Sequence, residues 1–372
     1  MKTLAIISHT EHYLKEDGSL VGLAPTVMEI NHLLAIFDRI IHLAMLHSSP
    51  APANTLAYCS DRIKFEALPA LGGKNAASKI KMLWYAPKVL FKVQKVLKKA
   101  DLFQFRAPTG IGVFVIPYLL LTSKRGWFKY AGNWQQKDIP ITYNFQRWLL
   151  KNQSRKVTIN GNWENQPVNC ITFENPCLTQ EELIEGANLE KHFDPQNISI
   201  CFIGRLEKEK GFDLFLKAIQ NLPPAFKNQI STVHIIGEDR NFTYGDLINN
   251  LGVKIVNHGL LKRSEVHKIL KQTQLLILPS KTEGFPKVLA ESWNYKCLTI
   301  ASAIPGLDEY FHLQIARWLK SSNLSELQKA IEDILTLGEN EFKTRTNSHL
   351  NWVENFTYNK YNNRIKELVL NE

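Results

Sequence analysis

The chain has 372 residues, 44 % of them hydrophobic and 22 % charged, with a formal net charge of +10. That length is enough for two hydrophobic cores of ordinary size, and the apolar fraction excludes a disordered chain. Five scattered cysteines, odd in number and without histidine partners at metal-ligand spacing, exclude a disulfide framework and a zinc site and point to a reducing compartment.

The segment from Met1 to His9 has too short an apolar core for a secretory signal and reads as a first strand over 3–8, with His9 at its end. Asp17-Gly18-Ser19-Leu20-Val21-Gly22 follows as a glycine-containing loop, then a helix over 25–37 and a strand over 39–46. The spacing predicts a helix over 78–99. In it Ile80, Leu83, Trp84, Val89, Val93, Val96 and Leu97 recur at helical intervals with lysines between them, and Pro87 should kink or split it. The positive charge concentrates around this helix: Arg62 to Lys129 holds fourteen basic residues and two acidic ones. The basic stretch 74–99 has two readings. One is an amphipathic helix on an anionic membrane face, each basic residue contributing ~1 kcal/mol. The other is a lysine-coated helix packed on its own domain. No nucleic-acid-binding motif accompanies the charge, so nucleic acid is not an expected partner.

Strands over 102–106, 127–130, 156–160 and 169–173 and helices over 112–121 and 142–151 complete the first half. The apolar run 111–121 is well short of the ~20 residues that span a bilayer. Carboxyl ends of parallel strands hold ligands in open α/β sheets. His9, Arg106, Asn133 and Trp134 are therefore ligand-cleft candidates, with a salt-bridged structural arginine as the other reading of Arg106. His12, His32, His42 and His47 read as surface or half-buried residues.

The second half repeats the rhythm, with strands over 198–203, 232–236, 254–256, 275–278 and 298–301. Helices follow Lys210, Tyr244, Ser264, Pro286 and Leu324. Alternation from end to end predicts parallel sheets. The polar stretch 190–197 marks the expected boundary, giving domains 1–190 and 191–350, and the tail over 351–370 reads as helix.

Two strings stand out. Gly204-Arg205-Leu206-Glu207-Lys208-Glu209-Lys210-Gly211 follows one buried strand. Pro279-Ser280, then Glu283-Gly284-Phe285-Pro286-Lys287-Val288-Leu289-Ala290-Glu291, follows another. Each opens a helix, and a helix start carries unpaired N–H groups and partial positive charge, a natural anion seat. Arg205, Lys210 and Lys287 reinforce it. Pro286 suits a first helical position, where its missing N–H is not needed, leaving the amides of Lys287, Val288 and Leu289 for an anion. Glu291 lies one turn further on. A carboxylate beside a phosphate is repulsive unless it accepts hydrogen bonds from the ligand, and sugar hydroxyls are the evident donors. The implied ligand is a nucleoside diphosphate.

Together these strings resemble the donor-binding half of glycosyltransferase family 4, retaining enzymes of GT-B fold, here of a bacterial surface-polysaccharide type. The resemblance implies an α/β chain of two Rossmann-like parallel-sheet domains facing across a cleft, the C-terminal helix (351–372) crossing back to the first. It implies transfer of a sugar from a UDP- or GDP-linked donor to a saccharide or lipid-linked acceptor, in polysaccharide or glycolipid assembly. Arg205 and Lys210 would hold the diphosphate as the nucleotide leaves, with Gly204 beside them. Glu283 would contact the transferred sugar, Gly284 would let the backbone approach, Phe285 would belong to the same donor-binding loop, and His9, Arg106, Asn133 and Trp134 would lie on the acceptor side. Glu291 would accept from the ribose, Gly237, Gly259 and Leu260 would meet the base, and Gly18 and Gly22 would lie near the phosphates. No Asp-x-Asp motif is present, so no metal or other cofactor is expected. The protein should be cytoplasmic, with peripheral contact at the inner membrane face if the basic helix binds lipid. Rival readings are a sugar-nucleotide epimerase and a non-catalytic nucleotide-binding scaffold. A nicotinamide dehydrogenase would need a G-x-G-x-x-G after an early strand, which is missing.

Overall fold

Residues 2–73, 76–136, 139–239, 244–347 and 350–371 are described by the computed structural model. They form two units, Met1–Glu174 with Tyr358–Glu372, and Asn175–Thr357. The division falls ahead of the polar stretch 190–197. The helix Gln180–Asn188, capped reciprocally by Thr179 and Glu182, belongs to the second unit.

The first unit holds β1 (Thr3–Leu14), β2 (Leu20–Leu23), β3 (Arg39–His47), β4 (Thr55–Ala57), β5 (Ile63–Pro69), β6 (Leu102–Ala107), β7 (Arg125–Asn133), β8 (Val157–Asn160) and β9 (Cys170–Thr172). Its parallel strands run in the order β5-β3-β1-β6-β7-β8-β9. Side chains alternate across a strand, and here the alternation separates two cores. Ala5, Ile7, Phe103, Phe105 and Phe128 face Val89, Val93, Val115 and Ile116 on one side. Leu4, Ile6, Leu102 and Trp127 face Ile30, Leu33, Tyr361, Ile365 and Leu370 on the other.

Several expectations are corrected. The first strand does not end at Ser8. It runs to Leu14 and turns back antiparallel as β2, which pairs with β4. Gly18 makes that turn at φ 77°, its N–H donating to the Lys15 carbonyl. The helix expected over 78–99 is two, Ala76–Trp84 and Ala86–Lys98, with Pro87 in the first turn of the second, where its missing N–H leaves no carbonyl unpaired. Lys74 and Asn75 lie outside the described residues. The tail is broken: Leu350–Val353, an extended Thr357 bridged to Leu178, then Tyr358–Arg364 and a wider turn Ile365–Leu370.

His12 and His42 are fully buried, not surface residues. Both share the Tyr58 hydroxyl, at 2.7 Å from His12 Nε2 and 2.6 Å from His42 Nδ1, and His42 Nε2 meets Ser8 Oγ at 2.7 Å. On the second core's face, Glu29 receives Arg106 Nη2 at 2.8 Å and Lys129 Nζ at 2.7 and 2.8 Å, and Tyr361 donates to it at 3.1 Å. All four side chains are buried, so this cluster ties the chain's last segment to the helix Ala24–Leu33.

The second unit holds β10 (Ile198–Ile203), β11 (Ile230–Ile236), β12 (Ile255–Gly259), β13 (Leu275–Leu278), β14 (Leu298–Ser302) and β15 (Ala316–Leu319), all parallel, in the order β12-β11-β10-β13-β14-β15. Taken as strands one to six this is 3-2-1-4-5-6, the dinucleotide-binding order. Its topological switch point, between β10 and β13, opens a crevice beyond the strand ends. No helix among the described residues is long and apolar enough to cross a membrane.

Candidate functional site

The two motif strings leave the sheet at that switch point. After β10 the chain runs through Gly204 and Arg205 into a short turn, Lys208–Lys210, and Gly211 opens the helix Phe212–Gln220. After β13 the chain runs through Pro279 to the helix Lys287–Asn294. The loops are stapled together: Lys281 N–H donates to the Glu209 carbonyl at 2.9 Å, and Lys210 Nζ donates to Glu283 Oε1. That ion pair is mostly shielded, its side chains 18 % and 14 % exposed. Arg205 is different. Its side chain is 60 % exposed and rests on Glu207 at 2.9 Å. Ser280 Oγ, fully buried beside the loops, has no partner among the described residues.

Further along the strand ends lies a cavity of about 600 Å³ lined by Leu206, Gly237, Glu238, Asn257, Gly259 and Leu260, with Asp239, Gly245 and Ile248 completing it. Gly237 is required there. It sits at φ 152°, and a Cβ would be driven into the Gly204 carbonyl oxygen. This contact holds the β10 and β11 loops close.

Pro286 occupies the N-cap of the helix Lys287–Asn294, not its first turn, and the Leu289 amide is spent on the Pro286 carbonyl at 2.9 Å. Of the three amides expected to face an anion, those of Lys287 and Val288 keep that opportunity. Phe285 is buried against Phe356 and Tyr310, anchoring the loop. Gly284 separates it from Glu283.

Glu291 is the residue whose surroundings differ most from expectation. Its side chain is 13 % exposed and lies in a charged network, Oε1 accepting from Arg263 Nε at 3.1 Å, with His267 Nε2 at 3.5 Å. Arg263 also forks onto Glu182, Nη2 to Oε2 at 2.7 Å and Nη1 to Oε1. Burial pushes the Glu291 carboxyl up, but His267 and Arg263 outweigh it and leave it below the usual carboxylate value. Glu182 balances the same way, burial against Arg263. Sequence reasoning missed Glu182, Arg263 and His267. The Thr179-x-x-Glu182 capping box was a legible signal for the first. The other two sit on a helix face that reads as solvated.

In the first unit, His9 is half-buried and lies against Gly110, at the carboxyl end of the β1–β6 pair. Burial, then the neighbouring His47, lowers it to about 4. Arg106 is buried on Glu29 and Gln104 and takes the salt-bridged of its two expected roles. Trp134 is buried edge-on against Tyr130, and Asn133 caps the Gln135 amide at 3.0 Å. Gly18 is at the hairpin tip, and Gly22 lies in β2 against His12, two residues ahead of the helix Ala24–Leu33.

Two mainly parallel sheets, the second with a crevice at a switch point, define a chain of GT-B type, and the solved structures agree. The Thermosynechococcus elongatus sucrose-phosphate synthase superposes with a TM-score of 0.73 at 14 % identity, covering 100 % of this chain and 99 % of that one. Anabaena HepE in complex with UDP-glucose does so with a TM-score of 0.71 at 12 % identity over 100 % of both chains. These likenesses establish the fold, GT-B. In sequence, residues 188–350 match the family of glycosyl transferases group 1. A Campylobacter jejuni GalNAc-α-(1→4)-GalNAc-α-(1→3)-diNAcBac-PP-undecaprenol α-1,4-N-acetyl-D-galactosaminyltransferase is 29 % identical over 133 residues, 35 % of this chain. That match spans 34 % of the relative's own length.

Proposed function

We propose that the protein is a retaining glycosyltransferase that moves a sugar from a UDP- or GDP-linked donor to a saccharide or lipid-linked acceptor. The observation that carries this reading is the stapled pair of loops at the switch point, with Lys210 against Glu283 beside a glycine-lined cavity. A cation on a mostly shielded carboxylate can turn to a diphosphate while the carboxylate turns to sugar hydroxyls. Arg205, exposed at the rim, adds a second cation, and the Lys287 and Val288 amides add two donors. Charge develops on the diphosphate as the nucleotide departs, and groups already fixed there stabilise it without reorganisation. The acceptor hydroxyl then attacks from the same face, a donor phosphate oxygen taking its proton. Glu291 accepts from the ribose, and the cavity beside Gly237, Gly259 and Leu260 takes the base.

Side chains and amides hold the phosphates in this reading, so no divalent metal is required and a chelator leaves the rate unchanged. Loss of activity on chelation would overturn that part. The C. jejuni relative is named for an undecaprenol-linked substrate, and one surface fits a lipid-linked acceptor. Trp84 is 85 % exposed and Ile80 68 %, with Leu83 and Phe91 also exposed, amid Lys81, Lys88, Lys92 and Lys95. Vesicles containing anionic lipid should sediment the protein, neutral vesicles should not, and Leu83→Ser with Trp84→Ser should abolish it. The central test is a melting-temperature panel with UDP-, GDP- and ADP-sugars, since a ligand that binds only the native state raises it. Transfer with the matching donor should then keep the anomeric configuration. A chain stabilised by none of them is not this enzyme.

A further inference from the structure

Arg263 is the first residue of the helix Arg263–Gln272, and its planar guanidinium joins three otherwise separate pieces of the second unit. Nε reaches Glu291, Nη1 and Nη2 fork onto Glu182, and Nη2 also donates to the Cys177 carbonyl. Glu182 is itself fixed, Oε2 taking the Thr179 N–H at 2.9 Å in the capping box. One turn on, His267 Nδ1 meets the Tyr295 hydroxyl at 2.9 Å, and its Nε2 lies 3.5 Å from Glu291 Oε1. Two carboxylates on neighbouring helices therefore share one cation. Without it they would repel, and Glu291 would be free to swing.

The arrangement uses only part of Glu291. Oε1 takes Arg263, and a carboxylate has about four lone-pair sites, so capacity remains for hydroxyl donors. A five-donor fork suits this task as a lysine would not, because it fixes direction as well as charge. We infer that Arg263 is the positioning residue that aims Glu291 at the ribose of the bound nucleotide, acting through that carboxylate and Glu182. The inference rests on the donor-site reading above and adds to it the device that makes the ribose legible.

The test compares UDP and GDP with their 2′-deoxy forms by calorimetry, on the wild-type chain, Arg263→Met and Glu182→Gln, with circular dichroism to check the fold. A hydroxyl donating to a charged acceptor is worth about tenfold or more in affinity. The wild-type chain should prefer the ribonucleotide by that factor. Arg263→Met should lose most of the preference while binding the 2′-deoxy form as before, and Glu182→Gln should fall between. A general structural defect would weaken both forms equally. A folded Arg263→Met that keeps the preference overturns the inference and leaves the donor site standing. If Arg263→Met does not fold, an unchanged ratio in Glu182→Gln overturns it equally. Binding without any ribose preference in the wild-type chain overturns it too, and no nucleotide binding at all removes the reading beneath it.

Discussion

Both sheets set their first and fourth parallel strands side by side, β1 with β6 and β10 with β13, and so both own a crevice beyond that pair. They furnish it differently. In the first unit β1 continues into a hairpin, and the side chains gathered there are His9, His12 and His42, all pushed toward the neutral form by burial. Its charges, Glu29, Arg106 and Lys129, are sealed in the core beneath. In the second unit the strands stop short, glycines let the loops meet, and Lys210, Glu283 and Arg205 stand at the opening. Topology supplies the place, and side chains decide what it can hold.

Lys210→Ala should break the contrast most sharply. In the proposed reading it removes a cation held where negative charge develops, and transfer should fall about 10²- to 10³-fold in a sugar-transfer assay, with the chain still folded. Next comes the sealed counterpart. Glu29→Gln takes the shared carboxylate from two buried cations, and denaturant titration should find a loss of about 3–5 kcal/mol. A small loss would mean the cluster is solvated rather than sealed.

The histidines sharpen the comparison through pH. His9 and His12 are lowered from 6.5 to about 4 in the folded chain. Between those values the unfolded chain binds more protons, so stability is full above about 6.5 and falls as pH drops toward 4. Melting temperatures measured from pH 7 to pH 5 should decline, and His12→Gln should flatten the decline. Two glycines give the last comparison, and the smaller effect belongs to Gly18. Gly18→Ala, at positive φ but in open space, should cost about 1 kcal/mol and leave nucleotide affinity alone. Gly237→Ala meets the Gly204 carbonyl and should abolish nucleotide binding, read in the same melting panel.

Much of this was legible in the chain itself. The apolar runs of β10 and β13 are buried on both faces and announce themselves without alternation, and the strings after them mark the crevice. What escaped was pairing between distant short segments. β2, β4, β5 and β15 are brief edge or near-edge strands whose partners define them, and Ile63–Pro69 mixes Lys64 and Glu66 with apolar residues. The network around Glu291 escaped for a related reason. Arg263 and His267 lie on a helix that also carries Glu265, Lys268 and Lys271, where charge ordinarily means solvent, and only the fold reveals that this face turns toward Glu182. Pro286 was misplaced by one position, a shift that sequence spacing does not resolve.

The first unit is assembled from both ends of the chain, with Tyr361, Ile365 and Leu370 completing a core begun by Leu4 and Ile6. A ribosome therefore releases the early sheet with one face unfinished and makes the whole second unit before the missing piece emerges. During that interval the nascent strands carry exposed Trp127 and two cations awaiting their cover, which is the kind of surface chaperones bind. A premature stop between Thr357 and Tyr361 would leave that condition permanent.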